Sequence, residues 1–225
     1  MNPTPGESAT TVDSPAGPLD ASWWLPLDPV AVLVLAHGAG ADHKHKNMQA
    51  LASHFAAAGL ATLRFNFPYM QAGKRHVDKQ EVAIAAIAAA AARARELAPE
   101  LPLYLAGHSF GGRMSTHAAA IGSVDCAGLV LCSFPLHQPK KPSIKRAEHL
   151  ADVSLPMLFL SGTRDDLADS DLLDGVVAKL SNARVHWLET GNHSYVVLKR
   201  TRQNPLSIFE EMAREARTFV DETRN

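Results

Sequence analysis

The chain has 225 residues, 46% of them hydrophobic and 20% charged, and 22 Lys+Arg against 23 Asp+Glu leave a formal net charge of −1. With a pI near 6.8 it carries no electrostatic footprint for nucleic acid or an acidic membrane, and its apolar content suffices for one large core. Two cysteines, Cys126 and Cys132, are too few for a disulfide framework, so reduced thiols and a cytoplasmic location are expected.

Residues 1–20 show neither a basic n-region nor an apolar h-region, so no secretion signal is expected. Their Pro, Thr, Ser and Gly content predicts a loosely ordered lead-in, with room for an edge strand, before a single domain over 21–225. Residues 30–36 are an unbroken apolar run of strand length that ends in His37-Gly38-Ala39-Gly40. Met48, Leu51, Phe55 and Ala58 then recur at helical spacing, with Gly59 as a C-cap. Residues 61–67 read as the next strand. Asp78 with Glu81 resembles a capping box for a helix reaching about Ala98. The apolar run within it, 82–92, is too short to span a bilayer.

Strands over 101–106 and 128–133 bracket a helix of small residues, and a short helix is expected over 144–151. Residues 156–160 form another apolar strand, 172–180 a covering helix and 183–188 a last strand. Ile208, Met212, Ala216 and Phe219 lay one apolar stripe along the closing helix. This alternation predicts an α/β fold, a mostly parallel central sheet with helices on both faces.

Chemistry concentrates at the strand ends. Gly107-His108-Ser109-Phe110-Gly111 has the form of a nucleophile elbow, where glycines two before and two after the serine relieve the crowding of a sharp strand-to-helix turn. The helix behind Ser109 aims free N–H groups at any negative charge that forms there. A serine needs a base, and the base needs a carboxylate. The 156–160 strand runs into Ser161-Gly162-Thr163-Arg164-Asp165-Asp166, and the last strand runs into Asn192-His193-Ser194. Ser109, Asp165 and His193 are thus the candidate nucleophile, acid and base, in the chain order of an α/β-hydrolase triad. Asp166 and, more weakly, Asp169 are alternatives for the acid. The His37-Gly38 loop is placed to give the N–H of Ala39, beside that of Phe110, to an oxyanion.

Phe67, Tyr69, Phe134 and Leu136, with Met70, are candidates for lining the substrate site. Lys74, Arg75 and His76 read as a solvated basic loop, and Arg113 as a partner for a buried carboxylate. His43 and His45 have no nearby Cys or acid to complete a zinc set, so neither metal nor other cofactor is expected. Only residues 134–155 separate the strand after the elbow helix from the acid strand, which leaves no space for a cap domain and predicts an open site.

Together Ala36-His37-Gly38-Ala39-Gly40, Gly107-His108-Ser109-Phe110-Gly111-Gly112-Arg113, Phe134-Pro135-Leu136-His137, Gly162-Thr163-Arg164-Asp165 and Asn192-His193-Ser194 resemble the lid-less α/β-hydrolases of the dienelactone-hydrolase-like group. They are most similar to a small bacterial branch that shares its domain with a testis-expressed mammalian protein and a chromatin acetyltransferase-complex subunit. The resemblance implies a serine hydrolase acting on carboxylic esters or related acyl groups of a small-molecule substrate, and the near-neutral charge and short apolar runs add the expectation of no nucleic acid and no membrane partner. It leaves the oligomeric state open. Dienelactone hydrolases proper carry cysteine where this chain has Ser109. A catalytically silent interaction protein on the same fold is the alternative.

Overall fold

The computed structural model describes residues 6–224. Eight strands form one sheet in the order β1-β2-β4-β3-β5-β6-β7-β8. They are β1 (Gly6–Ser14), β2 (Gly17–Leu25), β3 (Ala31–Ala36), β4 (Leu60–Phe65), β5 (Leu103–His108), β6 (Gly128–Cys132), β7 (Met157–Gly162) and β8 (Ala183–Leu188). From β4 to β8 every neighbouring pair is parallel, while β2 pairs antiparallel with both β1 and β4.

The helices are α1 (Lys46–Ala57), α2 (Pro68–Gln71), α3 (Gln80–Leu97), α4 (Phe110–Ala120), α5 (Ser170–Val177) and α6 (Ile208–Thr223), with a 3-10 helix at Lys145–Asp152. Both faces of the parallel sheet are covered, which is why its central strands are apolar throughout instead of alternating. Along β3, Ala31, Leu33 and Leu35 pack under α1 and α6, whereas Val32, Val34 and Ala36 face the layer built by α3, α4 and α5. Met48, Leu51 and Phe55 of α1, spaced for one helical face, are fully buried. Between β6 and β7 lie a loop and the 3-10 helix, and no cap domain is present among the described residues.

Residues 6–20 are not the loose lead-in that their composition implies. Gly6–Ser14 and Gly17–Leu25 form a hairpin, closed where Ser14 Oγ donates to the Gly17 carbonyl at 2.7 Å. The reason is alternation: Val12, Leu19, Ala21 and Trp23 are buried, while Asp13 and Asp20 beside them are exposed. The hairpin also supplies Glu7, which pairs with the fully buried guanidinium of Arg64 in β4. That pairing offsets the large cost of removing an arginine from water. Residues 1–5 of the expected lead-in lie outside the described residues.

The capping box also resolves differently. Lys79 is the N-cap of α3 and makes no side-chain cap bond. Asp78 Oδ2 instead accepts the N–H of Tyr69 at 3.0 Å, closing the start of α2 onto the start of α3. The strand expected over 101–106 begins and ends two residues later, so Gly107 and His108 belong to β5 and the turn starts at Ser109 itself.

Candidate active site

Four loops meet at the C-terminal edge of the parallel strands, following β3, β5, β7 and β8. Ser109 lies between β5 and α4 with φ 51° and ψ −113°, a left-handed backbone that a side-chain-bearing residue adopts only under constraint. The constraint is visible. A Cβ on Gly107 would lie 2.4 Å from the Gly112 nitrogen, and one on Gly111 would lie 2.3 Å from the carbonyl oxygen of Ala36. Only glycine allows the turn to close on itself and against β3. The Ser109 N–H donates to the Cys132 carbonyl at 3.0 Å, which fixes the elbow to the end of β6.

The loops after β7 and β8 are laced together. Thr163 N–H donates to the Leu188 carbonyl at 3.1 Å, Arg164 N–H to the Gly191 carbonyl at 2.9 Å, and Thr190 N–H to Thr163 Oγ1 at 2.9 Å. Asn192 Oδ1 accepts the N–H groups of Ser194 and Val196 at 3.0 and 2.9 Å, a side-chain turn that fixes the backbone on either side of His193. Further along, Arg202 donates to the Glu189 carbonyl at 2.6 Å and pairs with Glu211, which also accepts from His186 at 2.9 Å. The loop carrying His193 is therefore tied to α6.

This scaffold brings the three candidates together. His193 Nε2 lies 2.9 Å from Ser109 Oγ, and His193 Nδ1 lies 2.8 and 3.0 Å from the two carboxylate oxygens of Asp165. The Asp165 side chain is fully buried, and one oxygen also accepts the Leu167 N–H at 2.9 Å. An ionised carboxylate only accepts, so His193 carries its proton on Nδ1 and leaves Nε2 free to accept from the serine hydroxyl. The two alternatives are elsewhere. Asp166 is exposed, and Asp169 caps α5 by accepting from Leu172 N–H at 3.1 Å.

The backbone N–H groups of Ala39 and Phe110 find no acceptor among the described residues, and both residues border Ser109. The loop holding Ala39 is braced by the buried His37. Its Nε2 accepts the Phe67 N–H at 3.0 Å and its Nδ1 donates to the Gly38 carbonyl at 2.8 Å. Burial holds the imidazole neutral and lowers its pKa to about 4.

Phe67, Tyr69, Phe134 and Leu136 do not line the site. All four are buried. Tyr69 turns its hydroxyl to the Ala39 carbonyl at 2.9 Å, and Phe67 packs edge-on against Phe110 with ring centroids 5.2 Å apart. These two aromatics shape the Ala39 loop from behind. Phe134 packs on Phe159 at 5.6 Å, and the cleft surface comes from the intervening Pro135 and the later Gln138 and Pro139. Met70 packs partly buried against the core. Arg113 pairs with no carboxylate within 4.0 Å among the described residues and lines the cleft instead. Lys74, Arg75 and His76 are exposed.

Two clefts meet at Ser109. One, of about 390 Å³, runs past Ala39, Phe110, Arg113, Pro135 and Arg146. The other, of about 330 Å³, runs past Gly40, His45, Asn47, His108 and His193. A groove of about 710 Å³ between Trp24 and Arg217 is bordered by Asp28 and Gly59, which precede β3 and β4, and so opens at the far edge of the sheet. Among the described residues no group of three or more His, Cys, Asp or Glu could hold a metal ion, and no helix is long and apolar enough to cross a membrane. His43 lies in the loop before α1 and is bonded to Asn66 Oδ1 at 2.9 Å. Cys126 and Cys132 are free and buried, and burial raises their thiols to about 11 and about 12.

A mostly parallel eight-stranded sheet with these loops at its C-terminal edge and no cap is the α/β-hydrolase fold in lid-less form. The alpha/beta hydrolase domain family matches residues 29–221, and the chain belongs to it. Its fold is similar to that of a lid-less α/β serine hydrolase from Xanthomonas campestris, at TM-score 0.73 and 23% identity over 98% of this chain and 95% of that one. Dienelactone hydrolase from Anabaena variabilis superimposes at TM-score 0.75 and 19% identity, covering 97% of this chain and 98% of that one. Est1E from Butyrivibrio proteoclasticus does so at 0.74 and 16%, covering 96% and 98%. At these identities the likeness is one of fold.

Proposed function

We propose that this hydrolase cleaves carboxylic esters, or related acyl groups on small molecules, through a covalent acyl-enzyme on Ser109. The observation that carries the reading is the single line of contacts from the Asp165 carboxylate through both nitrogens of His193 to Ser109 Oγ, 2.8 and 2.9 Å long. The hydroxyl is a weak nucleophile until a base takes its proton. In this reading His193 Nε2 takes it as Oγ attacks the acyl carbon, and the Asp165 carboxylate stabilises the resulting imidazolium. The carbonyl electron pair moves onto oxygen, where the N–H groups of Ala39 and Phe110 receive it. Collapse expels the leaving group, which takes the proton from His193. Water, deprotonated by the same nitrogen, then attacks the acyl-enzyme, and the proton returns to Ser109.

His193 borders only one of the two clefts, the one with His45 and Asn47. A leaving group must lie beside the imidazole that protonates it, so that cleft receives the leaving group and the other the acyl group. Free buried thiols at Cys126 and Cys132 support a reducing, cytoplasmic setting for the same reading. The likeness of the motifs to the bacterial branch described above is part of it and specifies no substrate. The test is turnover of p-nitrophenyl acetate and butyrate by the wild-type chain and by Ser109→Ala, with folding of both checked by circular dichroism. Turnover that disappears with the hydroxyl supports the reading, and equal turnover in both overturns it.

A further inference from the structure

The acyl-side cleft collects positive charge that nothing nearby neutralises. Arg113 reaches it from the first turn of α4 and Arg146 from the 3-10 helix. Both are half-buried, and neither has a carboxylate within 4.0 Å among the described residues. The chain uses most of its other partly buried arginines differently: Arg64 and Arg202 each face a glutamate, and Arg93 pairs with Glu96.

The arrangement is costly as it stands. A cation near the N-terminal end of α4 opposes the helix dipole, and α4 begins directly behind Ser109. Burial and the neighbouring Arg146 charge both weaken the hold of Arg113 on its proton. His117 and His149 stack behind the pair with ring centroids 3.5 Å apart, and burial keeps both below the ordinary histidine range. They add no negative charge. Arg146 directs one nitrogen to the His137 carbonyl at 2.9 Å, which holds the guanidinium at the cleft wall and leaves other N–H groups free. The rest of the wall is apolar or neutral: Val77, Phe110, Pro135, Pro139 and Leu167. Two guanidinium groups lining an otherwise neutral cleft form a receptor for an anionic group, most strongly a carboxylate taken in the planar, forked manner that arginine favours.

Resting on the acyl-enzyme reading and on the assignment of the two clefts, we infer that the preferred acyl group carries a terminal carboxylate, so that the substrates are monoesters of dicarboxylic acids, with Arg113 and Arg146 binding the free acid end. The arginines act on specificity. They touch the distal end of the acyl chain and take no part in proton transfer.

The experiment compares p-nitrophenyl hydrogen adipate with p-nitrophenyl hexanoate, equal in acyl length and leaving group and different in one terminal charge, with spontaneous hydrolysis subtracted. The wild-type chain is expected to show kcat/KM at least about tenfold higher for the adipate at low ionic strength. The advantage should shrink as salt screens the half-exposed pair. Arg146→Gln, which retains a donor for the His137 carbonyl, should bring the ratio toward one, and Arg113→Gln should do the same if it folds. Lys145→Gln removes one charge from the exposed side of the same 3-10 helix and should leave the ratio where it was. Equal kcat/KM for the two esters, or an adipate preference that survives Arg146→Gln, overturns this inference while leaving the hydrolase reading intact. Failure to cleave either ester counts against the hydrolase reading itself.

Discussion

The hydroxyl of Tyr195 lies 2.7 Å from Nδ1 of His108, and the His108 ring packs 5.2 Å from that of His193. Tyr195 holds φ 66° two residues beyond His193, so the contact ties the turn that carries His193 to the residue just before Ser109. Burial, reinforced by the nearness of His193, depresses His108 to about 3, which keeps it neutral near pH 7. A second imidazolium beside His193 would oppose the charge that His193 acquires in the proposed turnover. Tyr195→Phe is expected to leave the buried Nδ1 unpaired, with a loss of about 1–3 kcal/mol in urea unfolding. The same variant should lower kcat more than it raises KM, since it loosens the base and touches neither cleft wall. An unchanged unfolding midpoint would count against the contact.

The choice between the adjacent aspartates is open to a direct comparison. Asp165→Asn should cut kcat by about 10⁴, the loss seen when a triad carboxylate becomes an amide, because the imidazole then adopts the wrong tautomer. Asp166→Asn alters an exposed side chain and should leave kcat within about twofold. Asp169→Ala should cost about 1 kcal/mol of stability through the lost α5 cap, with little effect on rate. The reverse ranking of the first two would assign the acid to Asp166.

Acid should destabilise the fold through His37. Its folded pKa is about 4 against 6.5 for the free side chain, so below pH 6.5 the unfolded chain binds more protons than the folded one. Stability from this group is therefore complete above pH 6.5 and falls as pH drops toward 4, by roughly 3 kcal/mol in all. His37→Gln should be less stable at pH 7, where it loses a well-fitted acceptor for Phe67 N–H, and should show a shallower decline between pH 6.5 and 4. Parallel curves for the two proteins would show that His37 does not titrate as its surroundings imply.

With no cap among the described residues, p-nitrophenyl acetate and butyrate should turn over faster than the dodecanoate, whose long tail an open cleft leaves largely in water. EDTA should leave the rates unchanged, since the proposed chemistry needs no metal. A preference for the long chain, or a loss to EDTA that zinc restores, contradicts this expectation.

That Ser109, Asp165 and His193 come together could be anticipated from sequence, because the proposed chemistry asks for particular residue types at strand ends and apolar runs mark those ends clearly. The crowding at Gly107 and Gly111 has the same origin in the motif. The Gly162-x-x-Asp165 spacing also has a physical cause, since a Cβ on Gly162 would lie 2.2 Å from the Gly191 carbonyl oxygen in the facing loop. Side-chain direction just past a strand was not legible. Phe67, Tyr69, Phe134 and Leu136 occupy the right loops, but their side chains turn into the core while Pro135 faces the cleft. Nor was the N-terminal hairpin, because an edge strand that buries little beyond Val12 carries almost no hydrophobic signal. Arg146 lies 37 positions from Ser109 in a short 3-10 helix, and only the fold shows that it faces the same cleft as Arg113.

The most direct measurement is covalent labelling with a fluorophosphonate, whose tetrahedral phosphorus adduct mimics the state that Ala39 and Phe110 are proposed to stabilise. The account predicts one adduct per wild-type chain, located by peptide mass spectrometry at Ser109. It predicts no labelling of Ser109→Ala, and strongly suppressed labelling of His193→Ala, because without its base the hydroxyl is no better than any surface serine. Ester turnover should fall by roughly 10³–10⁶ in Ser109→Ala. A folded wild-type chain that takes up no probe, or takes it up at a residue other than Ser109, would contradict the account.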